Sequence, residues 1–495
     1  MGQAKIRGNL EQRMFEIWDQ YGVKSLTFER YNAFVAWTRM PTASVYGIEL
    51  EFFSTQDENL IGVVLQDTTD RDYVFVTLGR DEKGRFRAVD TKVDLTKTEA
   101  RHQLFASMKQ LADTGQTVFP QGDAHEDAAG VDLFAPVIGE DKMHASFKLL
   151  SDGDHWIPAR SIMSEMMRHF TDVDGNFVEQ FQTTGFDSRI WELYLYASLL
   201  EIGLYVKKPD PAPDFLVFLG SKKKVFIEAV TVGATANEVA PQTGDAPHVR
   251  SPEEVRNLLK GKIPIKFGSA LYSKLKRKNP YWELADVKGN PLVFAIADFH
   301  EKQSMTWTSP AIMEYLYGVT HDFLRDENGQ LIISSLKIET YEFEGKKIPA
   351  GFFLQPDSEN ISAVMFTSSG TLSKFNRMGR LAGFGLGNLH MFRMGVRHLH
   401  DPNAALPQPF LHEIKQGVVT ETWAEGLSMF HNPKALHPVD HEMFPGIAHH
   451  WFDDGQIRSL VPEFHPYSSL TWNLLAIDGM PGQQSQPKSA AAPQA

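Results

Sequence analysis

The stretch from Asp187 to Thr231 reads DSRIWELYLYASLLEIGLYVKKPDPAPDFLVFLGSKKKVFIEAVT, and it decides the fold that we expect. Its first part is apolar nearly all round between residues 190 and 200, which predicts a buried helix. The runs FLVFLG and VFIEAV are rich in aromatic and β-branched residues and predict two strands. Each of these three apolar elements carries one acid, namely Glu192, Asp214 and Glu228.

Acids at such positions need a compensating charge. A carboxylate that leaves water without a partner loses several kcal/mol, so three of them in apolar elements are hard to explain as isolated groups. No lysine or arginine interrupts the three apolar runs. A divalent cation bound by Glu192, Asp214 and Glu228 is therefore the simplest compensation that the sequence offers.

The order of these elements, followed by another helix and the strand PLVFAIADFH, resembles the PD-(D/E)XK nuclease superfamily. Its restriction-endonuclease-like core runs α-β-β-β-α-β, and three acids hold Mg²⁺ against the scissile phosphate. The matching segments are the helix with Glu192, a first strand from Gly203 to Lys208, Pro213-Asp214 at the start of the second strand, and Glu228-Ala229-Val230 in the third. The resemblance implies an Mg²⁺- or Mn²⁺-dependent endonuclease acting on DNA, in restriction, defence or repair.

One position departs from the family. Val230 stands where the E-x-K motif of the family has its catalytic lysine. On a helical wheel of the following basic helix, Lys274 falls inside the apolar stripe of Ile263, Phe267 and Leu271, whereas Lys266, Lys276 and Arg277 lie off it. We therefore predict that Lys274 replaces the missing lysine, with Lys266 and Lys224 as weaker alternatives.

The segment from Arg250 to Lys278 is strongly basic, with nine lysines and arginines and two acids, in a chain whose net charge is −13. Such a run is often only a solvated helix face. Its position directly after the acidic strand favours contact with a phosphate backbone instead. The predicted nucleic-acid contacts are Lys262, Lys266, Lys276, Arg277 and Lys278.

Composition narrows the class of protein. Its hydrophobic fraction of 42% and charged fraction of 22% are typical of soluble globular proteins. The absence of cysteine excludes disulfides, thiolate zinc sites and thiol catalysis, and it suits a reducing cytoplasm. No apolar stretch is long enough to span a membrane. We expect a soluble, cytoplasmic protein and leave a homo-oligomer open.

The length of 495 residues predicts an α/β protein of several parts. An antiparallel meander with a helix predicts an N-terminal α+β domain over residues 1–155, in which 116–155 reads as loop. The nuclease-like core is expected at 156–325, with a mobile flap at 233–252. A C-terminal α/β extension is expected at 326–478 and a disordered tail at 479–495.

Two other functions remain open. Since Val230 removes a usual catalytic group, the chain could be an inactive nuclease fold that binds nucleic acid or serves as a scaffold. The histidines near the C-terminus could instead hold zinc for a hydrolase, but they lack an HExxH pattern and read as surface residues. These are His437, His441, His449, His450 and His465. Asp298 and His300 read as a polar strand end.

Overall fold

The computed structural model describes residues 21–122, 130–220, 223–234 and 250–476. Residues 1–20 of the predicted N-terminal domain, most of the predicted flap and the predicted tail from residue 479 lie outside the described residues. The fold is mixed α/β, as the sequence predicts, and it combines antiparallel and mixed sheets. No helix in the described ranges is long and apolar enough to cross a membrane.

The N-terminal region is a five-stranded antiparallel sheet in the order β1-β2-β3-β4-β5. The predicted meander is thereby confirmed, and the capping box formed by Thr96 and Glu99 begins the helix that packs on it. The elements are β1 (Val23–Ser25), α1 (Phe28–Val35), α2 (Ala43–Tyr46), β2 (Gly47–Thr55), β3 (Leu60–Asp67), β4 (Tyr73–Arg80), β5 (Phe86–Leu95) and α3 (Lys97–Asp113).

A group of four helices follows: α4 (Ala145–Asp152), α5 (Ile157–Met167), α6 (Phe177–Gln182) and α7 (Phe186–Glu201). Helix α4 lies in the stretch expected to be loop, and it forms because Phe147 and Leu150 bury on one side. Helix α7 is buried as its composition predicts. The indole Nε1 of Trp191 on α7 donates a hydrogen bond to the carbonyl oxygen of Ala295 at 2.9 Å, which ties the helix to the central sheet.

After α7 the chain forms three antiparallel strands, two helices and a parallel strand. These are β6 (Tyr205–Lys207), β7 (Phe215–Leu219), β8 (Lys223–Val232), α8 (Pro252–Leu259), α9 (Lys262–Leu275) and β9 (Leu292–Asp298). The predicted succession of helix, three strands, helix and strand is present, with α8 as an additional helix. Strand β9 is buried throughout, as expected of a central parallel strand.

The remainder of the chain extends the same sheet and adds smaller ones. Its elements are α10 (Ser309–Tyr317), β10 (Val319–Arg325), β11 (Leu331–Lys337), β12 (Thr340–Phe343), β13 (Lys346–Pro349), β14 (Ala363–Thr367), α11 (Leu372–Leu381), β15 (Leu389–Arg397), β16 (Gln408–Glu413), β17 (Leu427–His431), β18 (Ala448–Asp453), β19 (Gln456–Leu460) and β20 (Leu470–Leu475).

The central sheet has eight strands in the order β19-β18-β17-β14-β9-β8-β7-β6. It therefore crosses the boundary expected at residues 325–326, because the apolar strand β14 pairs in parallel with β9. Apolar side chains of α5 and α7 pack on one face of this sheet, and those of α9 and α10 pack on the other. The second face is the one that carries Glu228, since Phe226 and Val230, two residues before and after it, belong to that apolar cluster.

Candidate functional site

Two of the three predicted acids face each other across a pair of strands. Strands β7 and β8 are antiparallel, with Phe215 opposite Ile227, so that Asp214, one residue before β7, falls opposite Glu228. Side chains directly opposite in an antiparallel pair share a face, with Cβ atoms about 4.5–5.5 Å apart. The backbone N–H of Ala229 donates a hydrogen bond to Oδ2 of Asp214 at 2.7 Å, which holds this carboxylate beside β8.

Glu228 is buried and receives two donors from outside its own sheet. The Nζ of Lys274 lies 2.6 Å from Oε1 of Glu228, and the hydroxyl of Tyr281 donates to the same oxygen at 2.5 Å. Lys274 belongs to α9, whose residues Ile263, Phe267 and Leu271 are completely buried. The helical wheel predicts that the stem of Lys274 follows this stripe towards the sheet, and the ammonium group ends at the acid.

Glu192 approaches from α7 on the other side of the sheet. Both of its carboxylate oxygens accept hydrogen bonds from Nη1 of Arg189, at 2.9 and 2.7 Å. The other amino group of Arg189 donates to Oε1 of Gln180 at 2.5 Å. The guanidinium of Arg189, which Gln180 holds in place, therefore orients the carboxylate of Glu192.

Asp214 differs from the other two acids in its pKa and in its lack of an ion pair within the described chain. Burial, together with the negative charges of Glu228 and Glu192, raises the pKa of Asp214 to about 8. Burial also raises the pKa of Glu192, against the opposing effect of Arg189. Glu228 pairs with Lys274 and Glu192 pairs with Arg189, but Asp214 has no ion pair with any described lysine, arginine or histidine. Asp214 is therefore the acid whose charge is left uncompensated.

The donors are of the right chemical type for a hard divalent cation, but Glu192, Asp214 and Glu228 do not bring three ligand atoms within 4.8 Å of one another. Carboxylate oxygens are the ligands that Mg²⁺ and Mn²⁺ prefer, and Asp214 is a partly buried acid that lacks a counter-charge. In the described ranges, the one group whose ligand atoms all lie within 4.8 Å of each other is a different one, Asp67, Asp70 and Asp72. Those residues form the turn between β3 and β4, where two of the carboxylates cap backbone N–H groups.

The predicted phosphate-contacting residues differ in their surroundings. Lys276 and Lys278 are exposed, and Arg277 is exposed with its guanidinium 4.4 Å from the ring centroid of Tyr281. Lys262 is half-buried. Lys266 lies off the apolar stripe on the wheel yet is buried, because α9 also packs against α8, α10, β12 and β13. Lys266 therefore does not lie on the outer surface of the helix.

Two side chains of the site were not predicted. Arg189 stands three residues before Glu192, the spacing of a helical ion pair, and this signal was readable from the sequence. Tyr281 lies after α9 in a short 3-10 helix (Tyr281–Glu283), and no local pattern points from it to Glu228. Val230 is buried in the same apolar cluster as Phe267, so the position of the expected lysine serves packing.

The histidines of the C-terminal region correct a prediction. His449, His450 and His465 are buried, whereas the sequence read them as surface residues; His437 and His441 are exposed. The imidazoles of His449 and His450 bury because β18 is an interior strand of the central sheet. Asp298 and His300 are buried as well, with 2.7 Å between Oδ1 of Asp298 and Nδ1 of His300.

Comparison of the chain with protein-family models, with curated proteins and with solved structures gave no match. The geometry of Asp214, Glu228, Glu192 and Lys274 is therefore the basis on which we infer a function.

Proposed function

We propose that this chain is a metal-dependent nuclease that hydrolyses phosphodiester bonds in DNA. The observation that carries the proposal is the contact of Lys274 with Glu228, beside Asp214. It brings a lysine from a helix 46 residues further along the chain to a pair of acids on adjacent strands. Two acids and a lysine are the groups that the PD-(D/E)XK nucleases use.

The arrangement of elements supports the same proposal. The three acids lie on the first helix and on the second and third strands of the succession from α7 to β9, as in the restriction-endonuclease-like core. The lysine comes from α9 instead of position 230. This relocation supports an active site despite Val230, because the ammonium group ends at the third-strand acid.

Asp214 and Glu228 would hold the cation, and Glu192 would complete or orient the set from the helix. Mg²⁺ or Mn²⁺ bound there would neutralise charge on the phosphate and make water at the site more acidic. Arg189 fixes the orientation of Glu192. The N–H of Ala229 fixes that of Asp214.

Lys274 would position the attacking water. Its side chain is 35% exposed, so the ammonium group lies between the buried acid and solvent and retains donors for a second partner. Hydrolysis adds the water oxygen to phosphorus and breaks one bridging P–O bond. The products are a phosphate monoester and an alcohol, and the water gives up one proton. Tyr281, hydrogen-bonded to Glu228, would keep the glutamate in place during this step.

The exposed basic residues that follow Lys274 support a nucleic-acid substrate. Lys276 is the C-cap of α9, and Arg277 and Lys278 follow it, so all three lie beside the helix terminus that carries Lys274. Cations there would contact phosphates that flank the one being cleaved. Affinity for DNA should consequently fall with salt.

The test is incubation of the purified protein with Mg²⁺ or Mn²⁺ and a panel of supercoiled, linear and single-stranded DNA and RNA. Cleavage of DNA that requires the metal, and that Asp214→Asn abolishes, is expected. The matched control is Asp113→Asn, which removes an exposed aspartate at the end of α3 in the N-terminal region. Cleavage that survives Asp214→Asn, or that needs no metal, would exclude this site as its source.

A further inference from the structure

A cavity that plays no part in the proposed nuclease site lies elsewhere on the molecule. It has a volume of about 760 Å³ and opens between α10, the hairpin β10-β11 and the strands β17, β18 and β19. This is within the range of about 300–1,000 Å³ that small-molecule sites occupy. None of the four residues of the acidic site lines it.

The cavity is uncharged. Its described lining contains no aspartate, glutamate, lysine or arginine, although these make up 22% of the chain. Apolar walls are supplied from the helix, the sheet and the edge strand by Met313, Phe366, Phe430 and Ile457. A charged ligand would lose its hydration here without gaining an ionic partner, so an occupant must be neutral.

Two buried histidines provide the polar part of the wall. The hydroxyl of Ser428 lies 3.2 Å from Nε2 of His465, and the hydroxyl of Ser459 lies 2.7 Å from Nδ1 of His450. Burial lowers the pKa of His450 to about 3 and that of His465 to about 4, so both imidazoles are neutral at pH 7.

One of these polar atoms has no partner. Nδ1 of His465 is buried and makes no hydrogen bond within the described part of the chain. A buried polar atom without a partner costs about 1–3 kcal/mol. His465 lines the cavity, so a turn of its ring would bring this nitrogen to a hydroxyl or carbonyl group of a bound molecule.

The β10-β11 hairpin, which forms one wall of the cavity, gives a separate indication that a ligand binds there. Ile333 lines the cavity, yet 56% of it stays exposed, although it is a large apolar residue. Strands β10 and β11 form a sheet of only two strands, and such a hairpin is marginally stable without further packing. An apolar molecule in the cavity would cover Ile333 and give the hairpin this packing.

The pair Ser428 and His465 does not make the cavity a hydrolase site. In a serine hydrolase the second imidazole nitrogen donates to a carboxylate that orients the ring and stabilises its charged form. Here that nitrogen has no partner, and burial makes the imidazole a weak base. The pair is suited to hydrogen bonding with a ligand and lacks, among the described residues, the groups of a catalytic triad.

We propose that this cavity is a binding site for an uncharged, mainly hydrophobic small molecule that carries a hydroxyl or carbonyl group, with His465 as its hydrogen-bonding partner. The apolar walls supply affinity, and the imidazole supplies orientation. The site is separate from the acids of the proposed nuclease, so its test does not depend on cleavage.

The first experiment titrates the full chain with Nile red, an uncharged apolar dye, and follows its fluorescence. One equivalent should bind, and Ile457→Lys should weaken binding at least 10-fold because it adds a charge to the wall. The matched control is Leu460→Lys, which puts the same charge at an exposed position of the same strand that does not line the cavity. Met313→Trp, which fills space without adding charge, should weaken binding comparably if Ile457→Lys fails to fold.

The second experiment measures displacement of Nile red by three naphthalenes. 1-Naphthol should compete better than naphthalene, and naphthalene-1-sulfonate at least 10-fold worse than 1-naphthol. His465→Phe should remove the preference for 1-naphthol over naphthalene while Nile red still binds. The proposal is overturned if the dye does not bind, if Met313→Trp and Leu460→Lys behave alike, or if the sulfonate competes as well as the alcohol.

Discussion

Two regions of the molecule bury acids and cations together, and they differ in how completely the buried acids are paired with positive charge. The first is the acidic site of Asp214, Glu228, Glu192 and Lys274. The second, which we call the buried ion cluster, joins α11 and β15 to the segment before β17. It consists of Lys374, Arg377, Arg393, Glu421 and Glu425.

In the buried ion cluster the central acid is fully compensated. The carboxylate of Glu421 accepts hydrogen bonds from Nζ of Lys374 at 2.7 Å and from Nη2 and Nε of Arg377, both at 2.8 Å. Burial alone would raise its pKa, but Arg377, Arg393 and Lys374 hold the pKa of Glu421 well below its usual range. Both oxygens of this carboxylate have partners, so Glu421 needs no further counter-charge.

In the acidic site the compensation is incomplete. Lys274 and Arg189 each serve one acid, and Asp214 has one backbone hydrogen bond and a raised pKa. Charge balance thus separates a compensated network from the site that we propose to bind a cation. The difference can be tested by removing corresponding groups from the two regions.

The largest effect is expected for Glu421→Gln. It leaves three buried cations facing a neutral amide, and breaking such a pair costs about 3–5 kcal/mol of the free energy of unfolding. Asp214→Asn should instead leave the metal-free protein equally or more stable, since it removes an unpaired charge. Urea denaturation of both variants at pH 8 without metal measures this. Equal losses would mean that Asp214 is a structural group like Glu421.

The next comparison is between Lys274 of the acidic site and Lys374 of the buried ion cluster. Lys274→Ala should lower the cleavage rate by on the order of 10²-fold, as the loss of a positioned donor does, with little change in melting temperature. Lys374 is completely buried, so Lys374→Ala should lower the melting temperature. Cleavage kinetics and thermal denaturation on the same preparations separate the effects. An unchanged rate in Lys274→Ala would remove this lysine from the mechanism.

Asp214 and Glu421 should also make the stability of the fold depend on pH in opposite directions. Because the pKa of Asp214 is raised in the folded state, the folded protein retains a proton that the unfolded chain has lost between about pH 4 and 8. Stability should therefore fall as pH rises through this window, by at most ~1.4 kcal/mol per unit, and Asp214→Asn should flatten the fall. Glu421 has a lowered pKa, so its contribution is lost only in acid, as pH falls below about 4.5.

The same proton affects metal binding. Asp214 must lose it to bind a cation, so the affinity for Mg²⁺ should rise about tenfold per pH unit up to about pH 8. Calorimetry in buffers of different ionisation enthalpy would detect about one proton released per metal near pH 7. An affinity that does not change with pH would show that Asp214 does not bind the metal.

Much of this site was readable from local sequence. Glu192, Asp214 and Glu228 stand out because each interrupts an apolar element, and Lys274 because of helical periodicity on α9. The burial of Lys266 was not readable from the wheel, since α9 also packs against β12 and β13, about 75 residues further along the chain.

Long-range pairing explains the other differences. The expected boundary at residues 325–326 is crossed because β14 joins β9, and no local pattern of the strand reports its partner. His449 and His450 appear polar in sequence but lie in β18, between β17 and β19. The contact of Tyr281 with Glu228 links residues 53 apart. In each case tertiary contacts outweigh local composition.

The smallest expected effect is on the salt dependence of DNA binding, and it compares two lysines at the end of α9. Lys276 forms an ion pair with Asp357, whereas Lys278, two residues on, has no ion pair within the described ranges. A lysine already paired releases fewer counterions from DNA than an unpaired one. Lys278→Ala should therefore reduce the slope of log K against log salt by about 0.9, and Lys276→Ala by clearly less. Fluorescence anisotropy with a labelled duplex at several salt concentrations measures both slopes. Asp357→Asn frees Lys276 and should make the slope steeper than in the wild type. If all three variants keep the wild-type slope, DNA does not contact this end of the helix, and the nucleic-acid surface lies elsewhere on the molecule.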